Sequence, residues 1–289
     1  GGRVQVTKYD AEVLLGIGET FTGVADGVAD LAITASVYHR GIVPVGLYTW
    51  AVPFTIESLE EFELLYHELG AAAILEEAYA EHGVKFLSYQ LSDEWGTCVT
   101  TFPVDEYADF KGKKVRAFGL WADWMVENGA SITVVPGGEI YMAIQTGVLD
   151  AAHFGAPNSW AGMKVAEVAD YLVYPSIIPY DMNEIIMNLD TFNEMPADLQ
   201  EVMVAATRLT NEQMSAYTIV QDVEGWKELK AQGIELIRMP DDELLKAKEW
   251  CWNKFLEARG QDPYIDRLID IYTEYMELKD LYFTPKRLP

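Results

Sequence analysis

Apolar residues alternate between strand-like and helix-like spacing along most of the chain, and turn residues separate the segments. The pattern predicts strands at residues 4–8, 31–34, 84–90, 97–101, 114–118, 132–135, 151–154, 171–174, 184–188 and 234–238. It predicts helices at residues 58–82, 121–128, 139–146, 160–168, 197–232, 241–258 and 263–282. Strands that alternate with helices in this way are typical of α/β architecture.

The helix predicted at residues 197–232 is much longer than an ordinary globular helix. Pro196 comes directly before it, and no flexible linker or internal repeat interrupts the chain. We therefore expect a helix that braces two lobes, and lobes that exchange strands because no tether joins them.

The chain has 21 basic and 46 acidic residues, which gives a net charge of −25. This balance argues against a nucleic-acid partner, because no basic stripe is available to neutralise phosphates. The average field would also repel an anionic ligand, so a local positive group would have to capture it.

Arg116 is the cation that best meets this requirement, because it lies in a predicted strand among Val115, Ala117 and Phe118. A guanidinium in such surroundings needs an acceptor, and its fork matches the two oxygens of a carboxylate. The residues alone leave two alternatives open. One is an internal salt bridge to Asp or Glu, and the other is a bound carboxylate ligand.

Motifs for catalysis or metal binding are missing from the sequence, which contains no GxSxG, no phosphate-binding loop, no HExxH and no CxxC. Cys98 and Cys251 lie in different segments and are expected to be unpaired. Among the four histidines only His153 is singled out, because it lies at a strand end beside Phe154. No apolar run approaches the roughly 20 residues of a membrane helix.

Two segments in the middle of the chain carry a family resemblance. Residues 111–119, KGKKVRAFG, and residues 128–151, NGASITVVPGGEIYMAIQTGVLDA, resemble the core signature of the solute-binding proteins of TRAP (tripartite ATP-independent periplasmic) transporters, the DctP type. GVADGVADLAI and YHRGIVPVGLYTWAVPF extend the resemblance upstream, and MNLDTFNEMPADLQEVMVAA and LKAQGIELIRMPDDEL extend it downstream. The resemblance covers essentially the whole chain, except that the first strand and helix of the family would precede Gly1.

The resemblance implies an α/β, two-lobed periplasmic-binding-protein-like fold with a hinge cleft and a long bracing helix. Residues 1–96 and 186–226 would form lobe I, and residues 97–185 and 227–289, with the C-terminal helices, would form lobe II. It implies a periplasmic receptor, not an enzyme, that captures a small organic acid and delivers it to TRAP membrane subunits. Contact with the membrane would be limited to the permease. We expect a monomer, with a dimer as the alternative.

The resemblance also implies a set of ligand-binding residues, in which Arg116 takes the family's carboxylate-binding position. The apolar part of the ligand would be enclosed by Phe118, Trp121 and Phe154, and polar contacts would come from Asn158, Ser36 and Tyr38. The predicted site is completed by Trp95, Cys98 and Tyr180.

Two departures from the family pattern narrow the range of expected ligands. Sialic-acid-binding relatives have a second arginine where this chain has Cys98 and an asparagine where it has Phe154, so sialic acid is not expected. The sequence is closer to the branch that binds 2-oxo or 2-hydroxy monocarboxylates, but the Trp-Glu metal pair of that branch is replaced within SIIPYD. Asp181 could hold a cation or be a plain surface carboxylate, and we expect no obligatory metal and no cofactor. The favoured ligand is a monocarboxylate with an apolar or aromatic body.

Two other functions stay open at this point. One is an enzyme of two α/β lobes that uses His153 or Glu139 as its acid-base residue. The other is a receptor that presents its ligand to a sensor kinase instead of a transporter.

Overall fold

The computed structural model describes residues 2–50, 52–92, 96–178 and 180–282. Two β-sheets with helices packed around them confirm the predicted α/β class. The strands are β1 (Leu31–Thr34), β2 (Val84–Leu91), β3 (Cys98–Thr100), β4 (Lys114–Arg116), β5 (Ser131–Ile132), β6 (Ala151–His153), β7 (Tyr171–Tyr174), β8 (Met182–Asn188) and β9 (Glu235–Arg238). The helices are α1 (Thr20–Ala25), α2 (Gly46–Trp50), α3 (Leu59–Phe62), α4 (Ala71–Ala80), α5 (Gly119–Glu127), α6 (Ile140–Gln145), α7 (Pro157–Gly162), α8 (Leu189–Glu194), α9 (Ala197–Gln232), α10 (Asp241–Leu256) and α11 (Pro263–Tyr282).

The first sheet has three antiparallel strands in the order β1-β8-β2. Its central strand, β8, is buried along nearly its whole length, as a strand covered on both faces should be. Because β8 follows five of the six strands of the second sheet in the sequence, the chain returns to the first sheet at Met182 and crosses again to reach β9.

The second sheet has six strands in the order β5-β4-β6-β3-β7-β9. β4 runs parallel to both β5 and β6, whereas β3 runs antiparallel to β6 and β7. In this register Arg116, the last residue of β4, lies beside Ala152 of β6. The sheet therefore brings the guanidinium to the end of two central strands.

The helix α9 packs against β2 of the first sheet and against α7 beside the second, which confirms the predicted bracing helix. At β2, the Leu91 amide donates to Asn211 Oδ1 at 2.5 Å, and Ser215 Oγ donates to the Leu91 carbonyl at 3.1 Å. At α7, a Cβ added to Gly225 would lie 2.3 Å from the backbone nitrogen of Asn158. Only glycine permits this approach of the two helices.

The two C-terminal helices pack against different helices, α10 against α5 and α11 against α4. Lys279 of α11 is buried, and its ammonium donates to the Thr55 carbonyl at 2.7 Å and to Glu57 and Glu61 at 3.0 and 3.2 Å. The predicted lobe boundaries stay a prediction. In the sheets, however, β8 joins the first sheet at Met182, before the predicted boundary at residue 186.

Several predicted elements differ from the structure. The strand predicted at residues 4–8 does not form, and Val4 and Val6 are exposed there without a partner strand. The helix predicted at residues 58–82 is divided into α3, a π-helical segment (Glu63–Glu68) and α4, because Gly70 takes a left-handed conformation with φ of 91°. In the described ranges, no helix is both long enough and apolar enough to cross a membrane.

Candidate ligand-binding site

Arg116 is 1% exposed, and backbone carbonyls hold its guanidinium in place. Nε donates to the Val135 carbonyl at 3.0 Å, and Nη1 donates to the His153 carbonyl at 2.8 Å. Arginine has five N–H donors, so three remain on Nη1 and Nη2, where the Tyr38 side chain also interacts with the guanidinium. The fixed end of the side chain is thus its Nε side.

The charge of Arg116 is not paired within the described part of the chain. No Asp or Glu oxygen among these residues lies within 4.0 Å of its nitrogens. Burial lowers the pKa of Arg116 to about 10, and electrostatic interactions with Tyr38 and Asp181 oppose this shift. Burial likewise raises the pKa of Tyr38 to about 12. At neutral pH the site therefore contains a charged guanidinium beside a neutral phenol.

Two aromatic rings lie against the guanidinium. The Phe118 centroid lies 4.7 Å from its Cζ and the Phe154 centroid 4.8 Å, which are cation–π distances. Tyr38 packs edge-on against Phe118 with 5.3 Å between ring centroids. All three rings are half-buried, so they keep some surface for a ligand.

His153 supports this arrangement from behind. Its Nε2 accepts a hydrogen bond from the Trp121 indole at 2.6 Å, so its proton must be on Nδ1, which lies 3.2 Å from the Gly96 carbonyl. Burial lowers the pKa of His153 to about 3, and the nearby Arg116 charge lowers it further. The ring is therefore neutral, with one fixed tautomer, next to the carbonyl that binds Arg116.

Four of the predicted site residues come together in the structure: Arg116, Phe118, Phe154 and Tyr38. Trp121 is 2% exposed and lies one layer behind them, with its indole N–H bound to His153. Asp181 was predicted only as a candidate cation ligand, yet it contributes to the electrostatics of Arg116.

The other predicted residues occupy different surroundings. Ser36 is fully buried, and its amide donates to Glu184 at 3.3 Å. Asn158 lies at the contact between α7 and α9, where its Oδ1 accepts from Ser159 at 3.0 Å. Cys98 is buried in β3 opposite His153, and burial raises the pKa of its thiol. Trp95 lies outside the described residues.

Tyr180 is half-buried and borders a small cavity together with Val52 and Phe54. A larger surface cavity of about 390 Å³ is lined by Phe54, Ile177, Leu244 and neighbouring residues of α10. Arg116 lines neither cavity. The candidate site is consequently defined by the surroundings of the guanidinium.

The carbonyls of Val135 and His153 are the functional groups that the sequence did not indicate. Every residue has a carbonyl, so only the fold shows which ones reach Arg116. In the part of the chain that the structure describes, no group of three or more His, Cys, Asp or Glu side chains is placed to hold a metal ion.

Two α/β lobes braced by one long helix define a two-lobed solute-binding protein. The model of the DctP family, described as "Bacterial extracellular solute-binding protein, family 7", matches residues 1–256, so the chain belongs to this family. Together with the solved structures below, this confirms the predicted DctP-type solute-binding protein of TRAP transporters.

The chain is similar to the monocarboxylate 2-oxoacid-binding periplasmic protein all3028 of Nostoc sp., with 27% identity over 289 residues that cover 99% of this chain and 78% of the relative. A TRAP periplasmic solute-binding protein from Chromohalobacter salexigens, with bound (S)-(+)-2-amino-1-propanol, has a TM-score of 0.86 and 22% identity, and covers 97% of this chain and 87% of its own. One from Colwellia psychrerythraea, with bound calcium and pyruvate, has a TM-score of 0.81 and 19% identity, and covers 93% and 83%.

Proposed function

We propose that this protein is an extracytoplasmic receptor that binds a small monocarboxylate through Arg116 and delivers it to TRAP membrane subunits. The proposal joins one feature of the site to the family. The feature is a buried guanidinium that forms no ion pair with any described Asp or Glu residue, and the family consists of solute-binding proteins.

The unpaired charge of Arg116 carries the proposal. Burying a cation without a partner is costly, and the cost is recovered when a carboxylate forms charge-assisted hydrogen bonds to it. The remaining N–H groups on Nη1 and Nη2 would supply two parallel hydrogen bonds, while Val135 and His153 hold the rest of the guanidinium. The ligand is therefore the missing partner of the site.

The surroundings of Arg116 favour a ligand with one carboxylate and an apolar or aromatic body. Phe118 and Phe154 offer ring surface next to the cation, and Tyr38 offers a neutral hydroxyl. A second carboxylate would need a second cation, which the Arg116 site lacks in the described residues. The 2-oxoacid in the name of the Nostoc relative and the pyruvate in the Colwellia structure support this ligand class.

A metal ion is not part of the proposed site, although the Colwellia structure contains calcium beside pyruvate. Calcium takes six to eight oxygen ligands, usually from several carboxylates. The described residues contain no cluster of that kind, and Asp181 is one carboxylate. The described residues do not fit a calcium site, so we assign the binding of the carboxylate group to Arg116 without a metal ion.

Calorimetric titration with pyruvate, longer aliphatic 2-oxo acids and aromatic monocarboxylates tests the ligand class. Arg116→Ala should abolish binding, and the amide analogue of the best ligand should not bind. Arg267→Ala is a matched control, because it removes an exposed arginine that pairs with Glu77. Retained binding by Arg116→Ala would overturn the assignment.

Catalysis is the less favoured alternative. Both ring nitrogens of His153 are occupied by hydrogen bonds, and Glu139 is exposed at a helix start. Recovery of the bound ligand unchanged after long incubation is the expected result. Uptake into proteoliposomes with the TRAP membrane subunits tests delivery, and binding without uptake would favour presentation to a sensor kinase.

A further inference from the structure

One face of α9 carries a row of solvent-exposed apolar residues, which the exposed Gln213 interrupts at its midpoint. Its residues follow one another at spacings of three, four or seven positions, so they form a straight row on the helix. The row consists of Val202, Ala205, Leu209, Ala216, Val220 and Val223, all exposed. We call this row the outer stripe.

The outer stripe lies opposite the side of α9 that packs against the protein. The buried residues of the helix include Thr207, Thr218 and Leu229, and at 3.6 residues per turn they point about 180° away from the stripe. A surface helix normally turns its apolar residues towards the protein, so apolar residues on its outer side indicate that the helix lies between two partners. The first partner of α9 is its own protein, through β2 and α7. The outer stripe indicates a second partner.

Charged residues bound the stripe at both ends. Asp198 lies one turn before Val202, and Lys227 lies one turn after Val223, on the same side of the helix. Asp198 already pairs with Arg3, and Lys227 with a neighbouring glutamate, but all of these side chains are more than half exposed. Exposed ion pairs are weak, so both charges can exchange partners.

The positions of the stripe residues are spaced symmetrically about a point between positions 212 and 213. If a second α9 lies antiparallel across this point, Val202 faces Val223, Ala205 faces Val220, Leu209 faces Ala216 and Asp198 faces Lys227. A parallel arrangement would instead place Asp198 against Asp198 and Lys227 against Lys227. Charge complementarity thus selects a two-fold, antiparallel pair.

We propose that the outer stripe binds a second copy of this chain, through antiparallel packing of two α9 helices. This inference does not depend on the ligand or on the proposed transport role. It assigns a surface to the dimer that the sequence analysis gave as the alternative to a monomer.

The size of the stripe sets the strength of the dimer. Positions 202 to 223 span 21 steps of 1.5 Å, about 32 Å, and a contact about 10 Å wide then buries roughly 300 Å² per copy. Stable interfaces bury about 800 Å² per partner, so the association should be weak and reversible. The net charge of −25 on each copy opposes contact, so added salt should strengthen the dimer.

Sedimentation equilibrium from about 10 µM to about 500 µM protein, at low and high salt, tests the proposal in the range of weak interfaces. The fraction of dimer should rise with concentration and with salt, and Leu209→Glu should weaken association at least about tenfold. Leu245→Glu is the matched control, because Leu245 on α10 is 54% exposed and Leu209 is 55% exposed. A protein that stays monomeric throughout, or equal loss in both variants, would overturn the proposal.

Disulfide trapping tests the direction of the pair. The native thiols of Cys98 and Cys251 are buried and should not compete. A mixture of Val202→Cys and Val223→Cys proteins should form a crosslinked dimer on oxidation, whereas each variant alone should not. Crosslinking of each variant with itself would refute the antiparallel arrangement.

Discussion

Replacing Arg116 with methionine should destabilise the ligand-free protein by no more than about 3 kcal/mol while it abolishes binding. Methionine fills most of the buried volume without a charge. The pKa of Arg116 falls from 12.5 to about 10, a shift of 2.5 that corresponds to about 3 kcal/mol of burial cost for the charged side chain at neutral pH. Arg116→Met removes this cost.

The substitution also removes two favourable hydrogen bonds, those to the Val135 and His153 carbonyls. Hydrogen bonds of a charged group contribute about 1.5 to 3 kcal/mol each. Because about 3 kcal/mol is recovered and about 3 to 6 kcal/mol is lost, the free energy of unfolding without ligand should fall by no more than about 3 kcal/mol.

Binding of the ligand should distinguish the wild type from Arg116→Met. Removing one partner of a buried charge pair costs about 3 to 5 kcal/mol, which lowers affinity about a hundredfold to several thousandfold. Urea unfolding should therefore show that ligand at 100 times its dissociation constant stabilises the wild type by about 2.7 kcal/mol and the variant hardly at all.

Arg116→Lys serves as the control that keeps the charge but loses the fork, and its affinity should be intermediate. A loss of more than about 4 kcal/mol in ligand-free Arg116→Met would refute the reasoning, because a change that large indicates a structural role. Equal stabilisation of both proteins by the ligand would refute the carboxylate assignment.

Burial raises the pKa of Glu184 to about 7 from 4.5, so the folded protein keeps this proton while the unfolded chain loses it, and stability falls as the pH rises through that window. Glu184→Gln removes this pH dependence. In urea unfolding, the difference in stability between the variant and the wild type should shift in favour of the variant by about 3 kcal/mol from pH 4.5 to pH 7.5. A difference that does not change with pH would contradict this reasoning. Gly225→Ala should destabilise the protein by about 1 to 3 kcal/mol in thermal unfolding, because its Cβ would meet the Asn158 backbone, whereas Gly162→Ala, with open space around it, should be neutral. Calorimetric affinity for the carboxylate should be the same before and after treatment with EDTA, and a loss that calcium restores would disprove the metal-free site.

Helix boundaries were predicted best where the chain has residues that stop or start a helix. α9 runs from Ala197 to Gln232 as predicted, because Pro196 lies before it and Gly233, with φ of 91°, ends it. The helix predicted from residue 58 begins as expected, with the Ser58 side chain accepting from the Glu61 amide. Its interruption at the π-helical segment was not predicted, since the apolar spacing continues through it and packing decides the local hydrogen bonds.

The candidate site was predicted in part, for a similar reason. Arg116 and Phe118 are near each other in the sequence, and Phe154 follows the strand that pairs with β4, so strand order brings them together. Trp121 and Asn158 also follow these strands, but one packs behind the site and the other packs against α9. The direction of a side chain on a short helix depends on the packing of that helix, which a single sequence does not specify.

The net charge of the protein and the charge of Arg116 act over different distances. The field of −25 charges repels a carboxylate on approach, although salt screens this repulsion beyond about 8 Å at physiological ionic strength. Arg116 acts only at contact, where burial excludes water and strengthens each hydrogen bond. The field should therefore slow the encounter of every anion, and under the proposed function the guanidinium beside Phe118 and Phe154 would select the ligand. A dicarboxylate would bury its second charge against these rings without a partner, whereas a monocarboxylate would bury its apolar body there.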